Sequence, residues 1–251
     1  HESLEKLNEI NKITFISLTN KTNEIPKNTV AFGINIDSQI DALEKYFNKI
    51  KVSKTLLLSP KSEFNYQSEN VAKKDKLKFY RTYKYDVNAK KITEEIEKIT
   101  RYRERKKDLE RRIKILEKSD LYKDKNELKK LEQMHTLGKV NFDSVVIIDF
   151  GNNLKSVLTS LAYTDVTEKD VLIITGNQWF DKSILEETSI KSFYFPSINL
   201  KNFEKFNNIF YENYNYKPNE ITILAYDALG LIYYIWKTKG EIVSVNNFNF
   251  K

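Results

Sequence analysis

The chain has 251 residues and no cysteine. Disulfides, thiolate metal sites and cysteine nucleophiles are thereby excluded. Histidine occurs twice, at His1 and His135, so neither a zinc site nor a histidine-based triad is expected. Glycine (6) and proline (4) are scarce, which excludes collagen-like and low-complexity classes. No Walker A loop, dinucleotide glycine pattern, nucleophile elbow or paired-histidine motif is present. No catalytic residue, metal ligand or cofactor is therefore expected. No signal peptide or lipid-anchor motif is visible within these residues. The longest apolar run, Ile221 to Trp236, contains Asp227 and falls short of the ~20 residues of a membrane span.

What is present is a core-forming composition. Apolar residues make up 40% and charged residues 31%, with 15 Tyr and 15 Phe, a balance typical of a folded globular protein. The net charge is +7, and Lys98 to Lys118 alone carry ten Lys or Arg against four Asp or Glu. That segment accounts for all but one of the excess positive charges. Basicity confined to one segment argues against a nucleic-acid groove, which spreads its charge over a face, so no nucleic-acid partner is expected.

Short β-rich runs alternate with amphipathic stretches. Ile13–Leu18, Thr55–Leu58, Ser144–Ile148 and Val171–Ile174 read as strands covered on both faces. Lys76–Tyr85 alternates, with Leu77, Phe79 and Tyr83 inward, and reads as a strand nearer an edge. Ser192–Phe195 is a further short strand stopped by Pro196. Ser38 is placed to cap a helix carrying Ile40, Leu43, Phe47 and Ile50. Helices are also predicted over Asn152–Leu161, Asn202–Tyr214 and Glu220–Thr238, the last a core helix stopped by Gly240. The alternation predicts an α/β fold, a doubly wound parallel sheet with helices on both faces.

Lys90 to Met134 breaks the alternation. Ile92, Ile96, Ile99, Leu109, Ile113 and Leu116 keep a coiled-coil-like spacing that forms an apolar seam, interrupted by Arg103 and Lys106. Polar turns at Ser119-Asp120 and Lys123-Asp124 precede a return with Leu128 and Leu131. This predicts a charged helical hairpin. Arg101, Arg105, Lys107, Arg111 and Lys114 are expected to face water, either as a solvated surface or as a docking surface for an acidic partner.

Polar and aromatic residues cluster where strands end: Thr19 and Asn20, Ser59 to Tyr66, Asp149 to Asn153, and Thr175 to Phe180. In open α/β sheets, ligands bind outside the carboxyl ends of the strands. Taken singly, each cluster reads as an ordinary capped turn; four such ends from one sheet point instead to a cleft, without naming a ligand. Asp149 reads as a polar strand-end or capping residue rather than an acid or base, and Asp227 as a buried structural hydrogen bond.

Ile13–Asn20, Ile25-Pro26, Phe32-Gly33 and Ser38-Gln39 together resemble the type I periplasmic-binding-protein fold. Leu131–Gly138 followed by Val140–Val146, with Gly176–Trp179 and Leu224–Ala228, is similar to its penicillin-binding-protein-activator branch (YraM/LppC-type lipoproteins, alphaproteobacterial form). The resemblance implies two lobes: 36–196 as lobe two, with the hairpin at 90–134, and 1–35 and 197–240 as part of lobe one. Residues 241–251 would begin a returning segment. Against the family pattern the chain looks truncated at both ends, with apolar surface expected where further strands would pack. The resemblance further implies a non-enzymatic periplasmic protein, an outer-membrane lipoprotein in its full-length form, partnered with a peptidoglycan synthase. The alternative is a solute-binding protein of an ABC transporter, taking an amino acid or amide. Cleft residues implied are Thr19, Asn20, Phe64, Phe150, Asn152, Asn177 and Trp179.

Overall fold

The computed structural model describes residues 13–19, 25–50, 52–61, 77–177, 182–184, 186, 191–240 and 245–248. The chain divides into two compact units, with breaks between Gln39 and Ile40 and between Pro196 and Ser197.

The unit from Ile40 to Pro196 is built on a four-stranded sheet. Its strands are β3 (Thr55–Pro60), β4 (Arg81–Tyr85), β5 (Ser144–Ile147) and β6 (Leu172–Thr175), in the order β4-β3-β5-β6. All three pairings are parallel, as the alternation of strand and helix predicts. Tyr194 extends the sheet by a single parallel bridge to Ile174, so the strand expected at Ser192–Phe195 shrinks to one residue before Pro196. The edge strand begins at Arg81, later than the Lys76 start expected from the pattern.

Strand side chains alternate between faces. Leu56, Leu58, Tyr85, Val145, Ile147 and Ile173 point to one face, where they form the main core with two helices, α2 (Ala89–Ile99) and α5 (Gly151–Tyr163). Ile92, Ile96 and Ile99 come from α2, and Leu154, Val157, Leu158 and Leu161 from α5. On the opposite face Leu57, Val146 and Ile174 are fully buried as well. The ring of Tyr46, on α1 (Ile36–Ile50), packs on that of Tyr194. At the amino end Asp143 accepts hydrogen bonds from the Ser53 hydroxyl (2.7 Å) and the Lys54 N–H (3.0 Å), tying the starts of β3 and β5 together. The α1 cap is Asn35, whose side chain accepts the Ser38 N–H at 2.9 Å. Ser38 therefore occupies the third helical position, where the capped N–H belongs, and is not the cap itself.

The long hairpin expected over 90–134 is three helices. Thr100 closes α2, its hydroxyl donating back to the Ile96 carbonyl at 2.7 Å, and Arg101 adopts a left-handed conformation (φ 54°). That residue redirects the chain, so α2 stays on the sheet and only α3 (Tyr102–Leu116) and α4 (Tyr122–Leu131) form a hairpin. Leu109, Leu116 and Leu131 give the hairpin its own small core, with Ile113, Leu128 and Leu137 against it. The apolar seam is therefore split between two cores.

Arg101, Lys107, Arg111 and Lys114 are exposed, but Arg105 is buried. Its guanidinium donates to the carbonyls of Thr164 (2.9 Å), Gly138 (3.1 Å) and Thr100 (3.5 Å). Burial pulls its pKa below the ordinary value, and Asp165 and Asp170 oppose that pull. The expectation that Arg105 faces water is overturned: its guanidinium is drawn to three carbonyls that converge at the base of the hairpin. The same base explains the Thr136-Leu137-Gly138 motif: Asp165 accepts from the Thr136 N–H (2.6 Å) and hydroxyl (2.9 Å).

In the other unit, β1 (Phe15–Leu18) pairs in parallel with β2 (Thr29–Phe32). Helices α6 (Leu200–Tyr214) and α7 (Glu220–Lys239) follow, and α7 packs against β1. Phe206, Phe210, Tyr214, Tyr216 and Tyr226 form a chain of ring contacts. Expected as a core helix, α7 buries only Ile223, Ala228 and Ile235 among its described side chains, while Leu229, Tyr233 and Trp236 are exposed. A described sheet of two strands is too narrow to cover a helix apolar all round. Asp227, expected to make a buried hydrogen bond, is exposed.

Removing the Arg105 side chain takes a donor from the buried Thr164 and Thr100 carbonyls. Arg105→Ala should lower unfolding free energy by roughly 2–4 kcal/mol in urea titration. Lys107→Ala, two residues on in the same helix and exposed, should stay within about 0.5 kcal/mol. Equal effects would show that the guanidinium is not a structural tie.

Candidate functional site

The sheet order fixes where a site can be. From β3 the chain goes to β4 on one side, and β5 then pairs on the other side of β3. The crevice outside the carboxyl ends of β3 and β5 is the topological switch point, the ordinary ligand position of an open parallel sheet. Backbone bonds zip the rim: the Ile148 N–H to the Leu58 carbonyl (2.9 Å), Lys61 to Tyr85 (2.7 Å) and Gly176 to Ile147 (3.2 Å).

At this rim Ser59, the next-to-last residue of β3, is fully buried, and its hydroxyl has no hydrogen-bond partner among the described residues. Beside it the chain leaves β5 through Ile148, Asp149 and Phe150. Asp149 shares the face of Val145 and Ile147 and accepts a hydrogen bond from the Tyr85 hydroxyl at 2.6 Å and from the Phe150 N–H at 2.8 Å. Burial raises the Asp149 pKa, while hydrogen bonds from Tyr85, Phe150 and Asn153 oppose the rise. Burial and the neighbouring carboxylate raise the Tyr85 pKa too, so the phenol keeps its proton and donates. The pair ties the edge strand to the end of β5.

Phe150 stands at the N-cap of α5 in extended conformation and gives no side-chain cap. Its ring is 50% exposed. Gly151 follows at φ +58° with open space where a Cβ would point, a conformation that disfavours other residues. The first turn of α5 thus presents backbone N–H groups next to an exposed ring. Asn152 is exposed and lines a groove of about 380 Å³ between the starts of α2 and α5, with Thr93, Lys155, Ser156, Thr159 and Ser160. Thr93 and Ser160 hydroxyls meet at 3.0 Å across it. Asn177 is half-buried just beyond β6, where the Thr175 hydroxyl donates to the Gly176 carbonyl.

Of the residues expected in a cleft, Phe150, Asn152 and Asn177 belong to this rim. Thr19 lies in the other unit, where its N–H bonds the Phe32 carbonyl at 3.2 Å. Asn20, Phe64 and Trp179 lie outside the described residues. Tyr85 was missed. Its two-residue spacing from Tyr83 was the available signal, since it places both rings on one face. The groove hydroxyls were missed as well, because Thr93 and Ser160 are distant in sequence. Among the described residues no cluster of acidic, histidine or cysteine side chains could hold a metal ion. No described helix is long and apolar enough to cross a membrane.

No protein-family model matches the sequence, and no curated protein matches it. Solved structures do. An extracellular ligand binding receptor from Desulfohalobium retbaense superimposes with a TM-score of 0.50 at 10% identity, over 94% of this chain and 36% of that one. An extracellular ligand-binding receptor from Verminephrobacter eiseniae gives 0.50 at 11% identity, over 88% of this chain and 56% of that one. The chain thus spans about a third to just over half of the structures it resembles. At such identities the likeness concerns the fold: an α/β architecture with a parallel sheet, of the type I periplasmic-binding-protein kind.

An acid whose pKa is raised by folding adds stability when protonated, and loses that contribution as pH rises from the ordinary carboxylate range through its folded value. Stability relative to an Asp149→Asn variant should therefore fall as pH is raised from about 4 toward neutrality, read from urea unfolding at a series of pH values. A difference that stays flat, or rises with pH, would place Asp149 in a solvated or positively charged setting instead.

Proposed function

We propose that this chain carries a small-molecule-binding lobe of the extracellular receptor type. The ligand would rest at the carboxyl rim of the Ile40–Pro196 unit, on Phe150, Gly151, Asn152 and Asn177. The observation that carries this reading is the exposed Phe150 ring beside the uncapped start of α5 at the switch point. Helix-start N–H groups favour an anionic or carbonyl oxygen, and the ring covers an apolar body. No charge is needed for either contact.

The rim also suggests what the ligand is not. An α-amino acid needs a carboxylate for its ammonium, and Asp149 is turned inward onto Tyr85. A carboxylate or amide lacking the amino group fits the described residues better. In this reading the full protein works in the periplasm as a solute receptor, and any transporter it serves is part of the proposal. The second reading, an activator of peptidoglycan synthesis, draws on one observation: the Leu131–Gly138 motif that resembles that branch builds the base of the hairpin, a feature the sheet itself does not require. Exposed Arg101, Lys107, Arg111 and Lys114 would then be the synthase-facing residues.

A ligand at a hundredfold excess over its Kd adds about 2.7 kcal/mol to stability. In a thermal-shift panel of matched amino acids, their deaminated carboxylates and amides, a carboxylate or amide should raise Tm more than its amino-acid counterpart. Phe150→Ala should abolish the rise while leaving the ligand-free Tm nearly unchanged. A panel with no effect, or a rise that survives in Phe150→Ala, would count against this site.

A further inference from the structure

The α3–α4 hairpin is a protrusion with its own core, and its outer surface is unlike the rest of the described unit. Over its 15 residues α3 carries the connection at residues 117–121 about 22 Å from Tyr102. At that far end Leu121 is 67% exposed and Tyr122 81%, with Ile115 at 55% nearby. Apolar side chains at the tip of a projecting hairpin contribute nothing to its core, which Leu109, Leu116 and Leu131 fill.

The charges around this tip sort into two sets. Four hairpin carboxylates are engaged: Asp108 by Arg111, Glu127 by Arg112, Asp120 by Lys125, and Asp124 by the Ser119 hydroxyl. Lys107, Lys114, Lys118 and Lys123 are exposed and make no ion pair among the described residues. Lys107, Arg111, Lys114 and Lys118 are spaced by four, three and four residues, which sets them on one helical stripe running to the tip. Glu110 and Glu117 are the remaining acids of that part of α3 and its cap.

We propose that the hairpin tip docks on an anionic lipid surface. Leu121 and Tyr122 enter the headgroup layer, and Lys114, Lys118 and Lys123 face the phosphates. Two tip side chains offer far less than the about 800 Å² per partner of a stable protein interface. A lipid interface, in contrast, accepts single aliphatic and aromatic side chains, tyrosine among the preferred ones. Each lysine near such a surface raises partitioning by about fivefold. An acidic protein would be met by the stripe alone and would have no use for the exposed tip. This inference does not depend on the small-molecule reading, since it concerns other residues.

The test is flotation of the whole chain with vesicles of phosphatidylglycerol and phosphatidylcholine in equal parts, at low salt. Binding is expected there, with little to pure phosphatidylcholine and loss at high salt. Lys114→Gln, Lys118→Gln and Lys123→Gln combined should reduce partitioning by about two orders of magnitude. Leu121→Asp with Tyr122→Asp should weaken it separately. All these positions are exposed, and melting curves by circular dichroism should show both variants folded like the parent. In a Tyr122→Trp variant, brominated phosphatidylglycerol should quench fluorescence beyond that of the parent chain. Absence of binding to the anionic vesicles overturns the proposal. So does binding unchanged by the tip variant, or equally tight binding to soluble polyglutamate that the tip variant leaves intact, which would assign the stripe to an acidic protein.

Discussion

Four strands that all run the same way leave the chain no short return, and this constraint organises the rest of the unit. Each parallel connection must cross back over a face, with a nearly invariant right-handed sense. The steps from β4 to β5 and from β5 to β6 move in one direction along the sheet, so their helices, α2 and α5, fall on the same face and share one core. The step from β3 to β4 moves the opposite way. That reversal creates the switch point, and the same geometry brings the carboxyl ends of β3, β5 and β6 to one rim. The position of Phe150 and Gly151 is thus a consequence of strand order, before any ligand is considered.

The crossover from β4 to β5 needs only α2. The chain nevertheless detours through α3 and α4, and an added excursion must leave and return at nearly the same place. Arg101 makes the departure by its left-handed turn. On the return, the Leu137 N–H donates to the Arg105 carbonyl at 3.0 Å, while the Arg105 side chain bonds Gly138, Thr164 and Thr100. One residue therefore joins the end of α2, the start of α3, the return strand and the end of α5. Its charge is offset by carbonyl dipoles and by the field of Asp165 and Asp170 rather than by a contact ion pair. A buried guanidinium is costly when partnered poorly, and the geometry here supplies three acceptors.

How much of this was legible in the sequence follows from the kind of signal each feature left. The sheet strands were legible because strands buried on both faces are continuous apolar runs, as at Leu56–Leu58 and Val145–Ile147. The helical periodicity of Ile92, Ile96 and Ile99 was equally plain, but period alone does not say which surface a helix packs on. Leu109 and Leu116 follow those isoleucines at a similar spacing after an interruption at Arg103 and Lys106, but nothing in the sequence marks Arg101 as the place where the chain turns. Arg105 sat among nine other basic residues of the segment Lys98–Lys118. Only the distant carbonyls of Gly138 and Thr164 set it apart. At the rim, Phe150, Asn152 and Asn177 were found by their position after strands. Tyr85 was not, because its role depends on Asp149, 64 residues away.

The distribution of charge gives the unit two surfaces of different physical character. At the rim the one carboxylate of the β5 end is turned into the core and bonded to a phenol, and Phe150, Gly151, Asn152 and Asn177 are uncharged. Recognition there would rest on backbone N–H groups, amides and a ring, contacts set by geometry and little changed by ionic strength. On the hairpin the cations are long, solvated and in part unpaired, and their reach is that of a screened field, about 8 Å at physiological salt. A buried Arg105 separates the two by fixing the base from which the hairpin projects. The excess positive charge of the chain can therefore lie in one segment without placing a strong local charge on the switch-point contacts. This accounts for a basic composition in a protein whose rim residues Phe150, Gly151, Asn152 and Asn177 are uncharged.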